Sequence, residues 1–88
     1  MSVIKIIQLS DGTSTPFDGQ YVLEYDPTRG GFDPDGRPMQ CHLVTTPDRG
    51  AALDLPGIEV IELWRKAHGT RADGKPNRPL TAFTVEIL

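Results

Sequence analysis

Few residues in this 88-residue chain are equipped for chemistry, and their spacing narrows what they can do. Its one cysteine, Cys41, stands directly before His42, and the second histidine is His68. Nucleophilic catalysis needs a thiol or hydroxyl beside a base. Neighbours on an extended strand point to opposite faces, so Cys41 and His42 cannot form a dyad if this stretch is a strand. Cys41 therefore reads as a buried structural thiol. Positions 41, 42 and 68 also lack the His-x-x-x-His, Cys-x-x-Cys and Glu-x-x-His spacings that hold a transition metal.

Two further chemistries fall away on motif grounds. Asp33-Pro34-Asp35-Gly36 opens in the manner of a calcium loop, but Arg37 and Pro38 follow where oxygen ligands should stand. The downstream bidentate acid is missing as well, so these are turn-forming acids. Arg29-Gly30-Gly31 and Thr70 to Lys75 combine glycines with cations without matching either phosphate-loop pattern. No metal and no cofactor is expected. A small enzyme using loop acids (Asp18, Asp26, Asp33, Asp35) with His42 or His68 is a third-ranked reading, because acids in loops are expected to be solvated and unshifted.

The charge distribution is more informative. The net charge is -3, with 9 Lys+Arg against 12 Asp+Glu. All of that excess lies in residues 1–44, while residues 45–88 are neutral. Within the second half, Arg65, Lys66, Arg71, Lys75 and Arg78 face only Asp73. A basic helix end and loop are thus expected to stand apart from an acidic loop holding Asp26, Asp33 and Asp35. Such a bipolar surface suits a protein partner or a second copy of the chain. The basic segment could alternatively bind a phosphate backbone, with Trp64 or His68 to stack, but the overall acidity ranks nucleic acid second.

The elements that must position these residues follow from hydrophobic period. Val3–Leu9 is apolar on both alternating faces and reads as a strand buried on both sides, closed by Ser10-Asp11-Gly12. Gln20–Tyr25 sets Tyr21, Leu23 and Tyr25 against Val22 and Glu24, and Gln40–Thr45 sets Cys41, Leu43 and Thr45 against His42 and Val44; both read as strands. From Gly57 to His68 the period becomes helical, with Val60, Ile61, Trp64, Ala67 and His68 on one side, widened by Ile58 and Leu63. Gly69 reads as the stop, and Asp54 or Gly57 as the N-cap. A single helical turn is expected from Thr46-Pro47-Asp48 to Leu53. Thr81–Leu88 alternates Phe83, Val85 and Ile87 with Ala82, Thr84 and Glu86, a half-buried strand.

Glycine and proline make up 17 of 88 residues and gather in three long loops, 10–19, 26–39 and 69–79. Two of these share an echo, Asp35-Gly36-Arg37-Pro38 and Asp73-Gly74-Lys75-Pro76, which reads as one turn chemistry used twice. The order β-β-β-α-β predicts a single α+β domain over 1–88: a mostly antiparallel four-stranded sheet with one helix on one face. The lone cysteine, the absence of a long apolar run and the absence of a leader-like start point to the cytoplasm, with no membrane contact.

One resemblance emerges from the second half. Thr45-Thr46-Pro47-Asp48, Ala51-Ala52, Leu55, Trp64-Arg65, Arg78-Pro79-Leu80 and Thr84-Val85-Glu86-Ile87 together resemble small uncharacterised bacterial and prophage-type accessory proteins. The resemblance covers roughly the C-terminal half, and Leu55-Pro56-Gly57 departs from its polar helix cap. It implies a compact α+β domain without catalytic residues, and a host-modulating or anti-defence inhibitor that acts by binding. The expected function is accordingly a non-enzymatic interaction domain, with a homodimer as one possible assembly.

Overall fold

A computed structural model describes residues 2–67 and 69–88. Its chain order is β1 (Ile4–Leu9), β2 (Tyr21–Asp26), β3 (Gly31–Phe32), β4 (Pro38–Met39), β5 (His42–Thr46), α1 (Gly57–Arg65) and β6 (Phe83–Ile87). Short 3-10 turns occupy Arg49–Ala51 and Pro79–Ala82. Four strands form an antiparallel sheet in the order β5-β2-β1-β6, and β3 and β4 form a small separate hairpin inside the 26–39 loop. The α+β architecture with a four-stranded antiparallel sheet and one helix is therefore as the hydrophobic periods predict.

The two central strands depart from simple alternation, and in the same way. In β1 the register against β6 shifts between Ile6 and Gln8. One extra residue, Ile7, is accommodated as a bulge, so Ile4, Ile6 and Leu9 share a face instead of Ile4, Ile6 and Gln8. In β2 the register against β5 shifts between Val22 and Glu24, and the extra residue is Leu23. Val22 and Tyr25 thereby come to the same side, and both are buried. This corrects two expectations: Val3–Leu9 is not buried on both sides, since Gln8 is exposed, and Tyr21, Leu23 and Tyr25 are not one face. The bulges reconcile the spacing of Ile6 to Leu9 and of Val22 to Tyr25, three positions apart in each case, with a sheet that has one core face. Where the sequence does alternate strictly, at Cys41/Leu43 and Phe83/Val85, the structure follows it.

β1 and β2 pair briefly, at Lys5 and Tyr21, with Ile6 and the preceding Gly19 and Gln20 exchanging backbone hydrogen bonds of 2.7–2.8 Å. Beyond that point they splay, and the segment before α1 enters the gap. The Leu53 amide donates to the Val22 carbonyl at 3.0 Å, and Leu55 exchanges hydrogen bonds with Ser2 at 2.8 and 3.0 Å. Backbone groups in the interior need partners, and this insertion supplies them.

Ile4, Ile6, Phe17, Val22, Tyr25, Cys41, Leu43, Val60 and Leu80 make the core. Ile6 and Leu80 are completely buried, each worth about 2 kcal/mol of apolar burial. Phe17, from the first loop, meets Phe83 edge to face with centroids 5.9 Å apart.

α1 is shorter and narrower in its buried face than its sequence period suggests. It ends at Arg65, three residues before the expected His68, and Gly69 lies beyond it in a turn with positive φ. His68 itself lies outside the described residues. Pro56 holds the N-cap position without a side-chain cap, so neither Asp54 nor Gly57 does that work. Val60 is buried, Leu63 and Trp64 pack against the core, and Ile58 and Ile61 point to solvent at 71% and 50% exposure. A nine-residue helix lacking a cap is marginal alone, so the Val60, Leu63 and Trp64 contacts hold it. The predicted turn after Pro47 is the 3-10 segment Arg49–Ala51, with the Asp48 carboxylate accepting from the Gly50 amide at 2.9 Å.

Candidate functional site

One turn geometry recurs three times and shapes the loops that carry the candidate residues. In Leu9–Thr13, Asp33–Arg37 and Arg71–Lys75, the first residue's amide donates to the fifth residue's carbonyl, at 3.1, 2.9 and 2.8 Å. In each, the glycine amide donates back to the first carbonyl, at 2.9, 2.9 and 3.0 Å. The glycines are Gly12, Gly36 and Gly74, with φ of 87°, 83° and 83°. Each follows an aspartate and closes a three-residue hairpin loop of the type that needs a left-handed residue at its end. The echo read between two loops is thus a shared conformation, and Asp11-Gly12 is a third instance.

Local turn hydrogen bonds occupy two of the three candidate acids in the 26–39 loop. The Asp33 carboxylate accepts from the Asp35 and Arg37 amides at 2.9 and 2.8 Å. Asp26 accepts from the Thr28 amide at 2.9 Å and from its hydroxyl at 2.6 Å, and those bonds hold its carboxyl below the usual range. Asp35 stays exposed at the hairpin. Asp33 also borders a cavity of about 280 Å³ with Phe17, Phe32, Leu43 and Val44. The expectation that the acidic loop stands apart from the basic segment is corrected at one point: Lys66 is close enough to Asp26 to help lower its pKa. The sheet causes this, because β2 ends where α1 ends, and the Tyr25 hydroxyl donates to the Lys66 carbonyl at 3.4 Å.

The basic residues do come together. Arg65 from the end of α1, Arg71 and Lys75 from the third hairpin turn, and Arg78 before the 79–82 turn line one cavity of about 340 Å³ with Trp64 and Thr81. A second cavity of about 380 Å³ shares Arg71, Arg78 and Thr81 and reaches Ser10 and Asn77. The 69–79 loop is ordered by the Arg71–Lys75 turn and by an Asn77 amide donating to Gly69 at 3.2 Å. Four cations at close quarters create a strongly positive concavity. Asp73 offsets one of them through an ion pair with Arg71 at 3.5 Å. Lys66 does not join this group; it lines a different groove with Leu55, Leu63, Glu59 and Glu62.

Trp64 takes up both positions that its place in the sequence allows. It packs against the core, yet it also borders the basic cavity, and its indole Nε1 is buried with no hydrogen-bond partner among the described residues. The Arg78 Nε is in the same condition.

β5 begins at His42, so Cys41 stands just before the strand and not within it as the Gln40–Thr45 reading expects; Cys41 is buried in the core while His42 is half-buried beside Glu24. Cys41 is 5% exposed in the core, where burial pushes its thiol pKa up, while His42 Nε2 lies 3.7 Å from Glu24 Oε1 across the strand pair. A raised pKa leaves the sulfur protonated and a poor nucleophile. Among the described residues there is no group of three or more histidine, cysteine or acidic side chains placed to hold a metal ion, and no helix is long and apolar enough to cross a membrane. No protein-family model, no curated protein and no solved structure matches the chain.

Proposed function

We propose that the chain is a non-enzymatic interaction domain that acts in the cytoplasm by docking an acidic protein partner against its basic end. The observation that carries this reading is the convergence of Arg65, Arg71, Lys75 and Arg78 on one cavity from three segments of the chain. A scattered solvated set of cations would need no such gathering. A rigid sheet with ordered loops at its end is a common platform for binding. The resemblance of the second half to prophage-type accessory proteins suits a host-modulating inhibitor of this kind. Asp26, Asp33 and Asp35 contribute to loop shape in this reading more than to contact with the partner.

Nucleic acid is the second reading, favoured by Trp64 at the rim of the same cavity. The net charge of -3 weighs against it, because binding a polyanion of phosphates is dominated by charge.

The test is capture from cell extract with the wild-type chain and with a variant carrying Arg71→Glu, Lys75→Glu and Arg78→Glu. Loss of a protein retained by the wild type, with circular dichroism unchanged, is the expected result. Equal recovery by both chains removes the basic end from the account. Retention of nucleic acid alone, released by modest salt, moves the function to the second reading.

A further inference from the structure

Resting on that reading of the basic end, we infer that the cavity between α1 and the 69–79 loop is built for a phosphoryl group carried by a side chain of the protein partner. The argument begins with the two buried donors. Trp64 Nε1 and Arg78 Nε both belong to residues lining this cavity, and neither has an acceptor among the described residues. A buried N–H without a partner is costly, so folded proteins rarely keep one unless something supplies the acceptor. Both residues line one cavity, and a small turn of either side chain brings its N–H to an oxygen-rich ligand that enters there.

Charge then selects among oxygen-rich ligands. Arg65, Arg71, Lys75 and Arg78 surround the cavity, and Asp73 balances only Arg71. Three cations remain for the ligand. A carboxylate brings one negative charge and two acceptor atoms. A phosphate monoester brings close to two charges and three strong acceptors, which matches both the surplus charge and the orphan donors. Guanidinium groups also present paired donors suited to phosphate oxygens, and three of the four cations here are arginines. A nucleic-acid phosphodiester carries one charge per phosphate, a poorer match to a single closed cavity.

The sole tryptophan of the chain stands at the site, so its fluorescence reports the cavity directly. The experiment titrates the full chain with sodium phosphate, with sodium chloride at equal ionic strength, with a phosphoserine peptide and its unphosphorylated form, and with a short oligothymidylate. The expected result is a saturable Trp64 response to phosphate and none specific to chloride. The phosphopeptide should bind at least tenfold tighter than its unphosphorylated form and tighter than free phosphate. Arg71→Gln and Lys75→Gln, at exposed positions, should each weaken binding severalfold without moving the thermal midpoint. Arg78→Lys, which keeps the charge and removes the Nε donor, should weaken it too.

A chloride-like response, or Arg71→Gln and Lys75→Gln variants that bind as the wild type does, overturns the inference. Free phosphate binding more tightly than the phosphopeptide overturns the protein source, and an oligonucleotide binding as tightly as the phosphopeptide overturns the monoester. Failure here leaves the charge-reversal capture standing as a test of protein docking, and loss of that capture result leaves phosphate binding measurable, so the two are separable.

Discussion

The hydroxyl of Tyr25 donates to the carbonyl of Lys66 at 3.4 Å, tying a central strand to the C-cap residue of α1. This bond spans 41 positions of sequence and sits beside the basic end, next to Arg65 and Trp64. A helix leaves its last carbonyls without internal partners, and Tyr25 satisfies one of them from the core side. Tyr25→Phe is expected to lower stability by about 1 kcal/mol, the usual net worth of one hydrogen bond. Chemical denaturation checks it, and a change under a few tenths would assign the bond no role.

Alkaline pH tests the same residue through its burial. Burial holds the Tyr25 phenol neutral and pushes its pKa up from 10.0 to about 12. The folded form thus keeps a proton that the unfolded chain has lost. Its contribution to stability is fully present below pH 10, falls as pH rises, and is gone above about 12. In a Tyr21→Phe background the absorbance of phenolate reports Tyr25 alone. A midpoint near 12 is expected; a midpoint at 10 with the fold intact contradicts the buried placement.

The bulge in β1 sets a contrast between neighbours of identical type. Ile6 is fully buried and Ile7, the extra residue of the bulge, is half-buried. Ile6→Ala is expected to cost about 3 kcal/mol and Ile7→Ala clearly less. Comparable losses at the two positions would mean that both faces of β1 are buried, against the half-buried placement of Ile7.

The three repeated turns make a conformational prediction. Gly36 has a φ of 83° with no atom within 4 Å of where a Cβ would stand. Gly36→Ala therefore meets no clash and costs only the left-handed backbone, about 1–2 kcal/mol. Gly36→Asn should cost less, since asparagine tolerates that region best among side-chain-bearing residues. Thermal unfolding of the two variants gives the order, and an alanine variant as stable as wild type would dismiss the turn.

Cys41 provides a chemical test of the core. Buried, with its thiol pKa raised, it should resist alkylation in the native chain and react at once when denatured. Rapid native modification would place it at the surface.

Strand and helix identity were legible in local pattern. The strict alternation of Phe83, Val85 and Ile87, the helical recurrence of Val60, Leu63 and Trp64, and the Asp-Gly turns each reflect a preference that nearby residues express without help. The α+β class follows from that order. Phase within the central strands was not legible, because Ile7 and Leu23 become bulges only when β6 and β5 pair beside them; a lone strand has no register to shift. The end of α1 was misplaced for a related reason, since helical period alone cannot show that Tyr25 will meet the chain at Lys66. The basic residues illustrate the same division. Their charge and density between positions 65 and 78 belong to the sequence alone. Their gathering around Trp64, and the departure of Lys66 to another groove, depended on how the 69–79 hairpin folds back against the helix. Such contacts arise from packing between segments distant along the chain, and only the tertiary structure decides them.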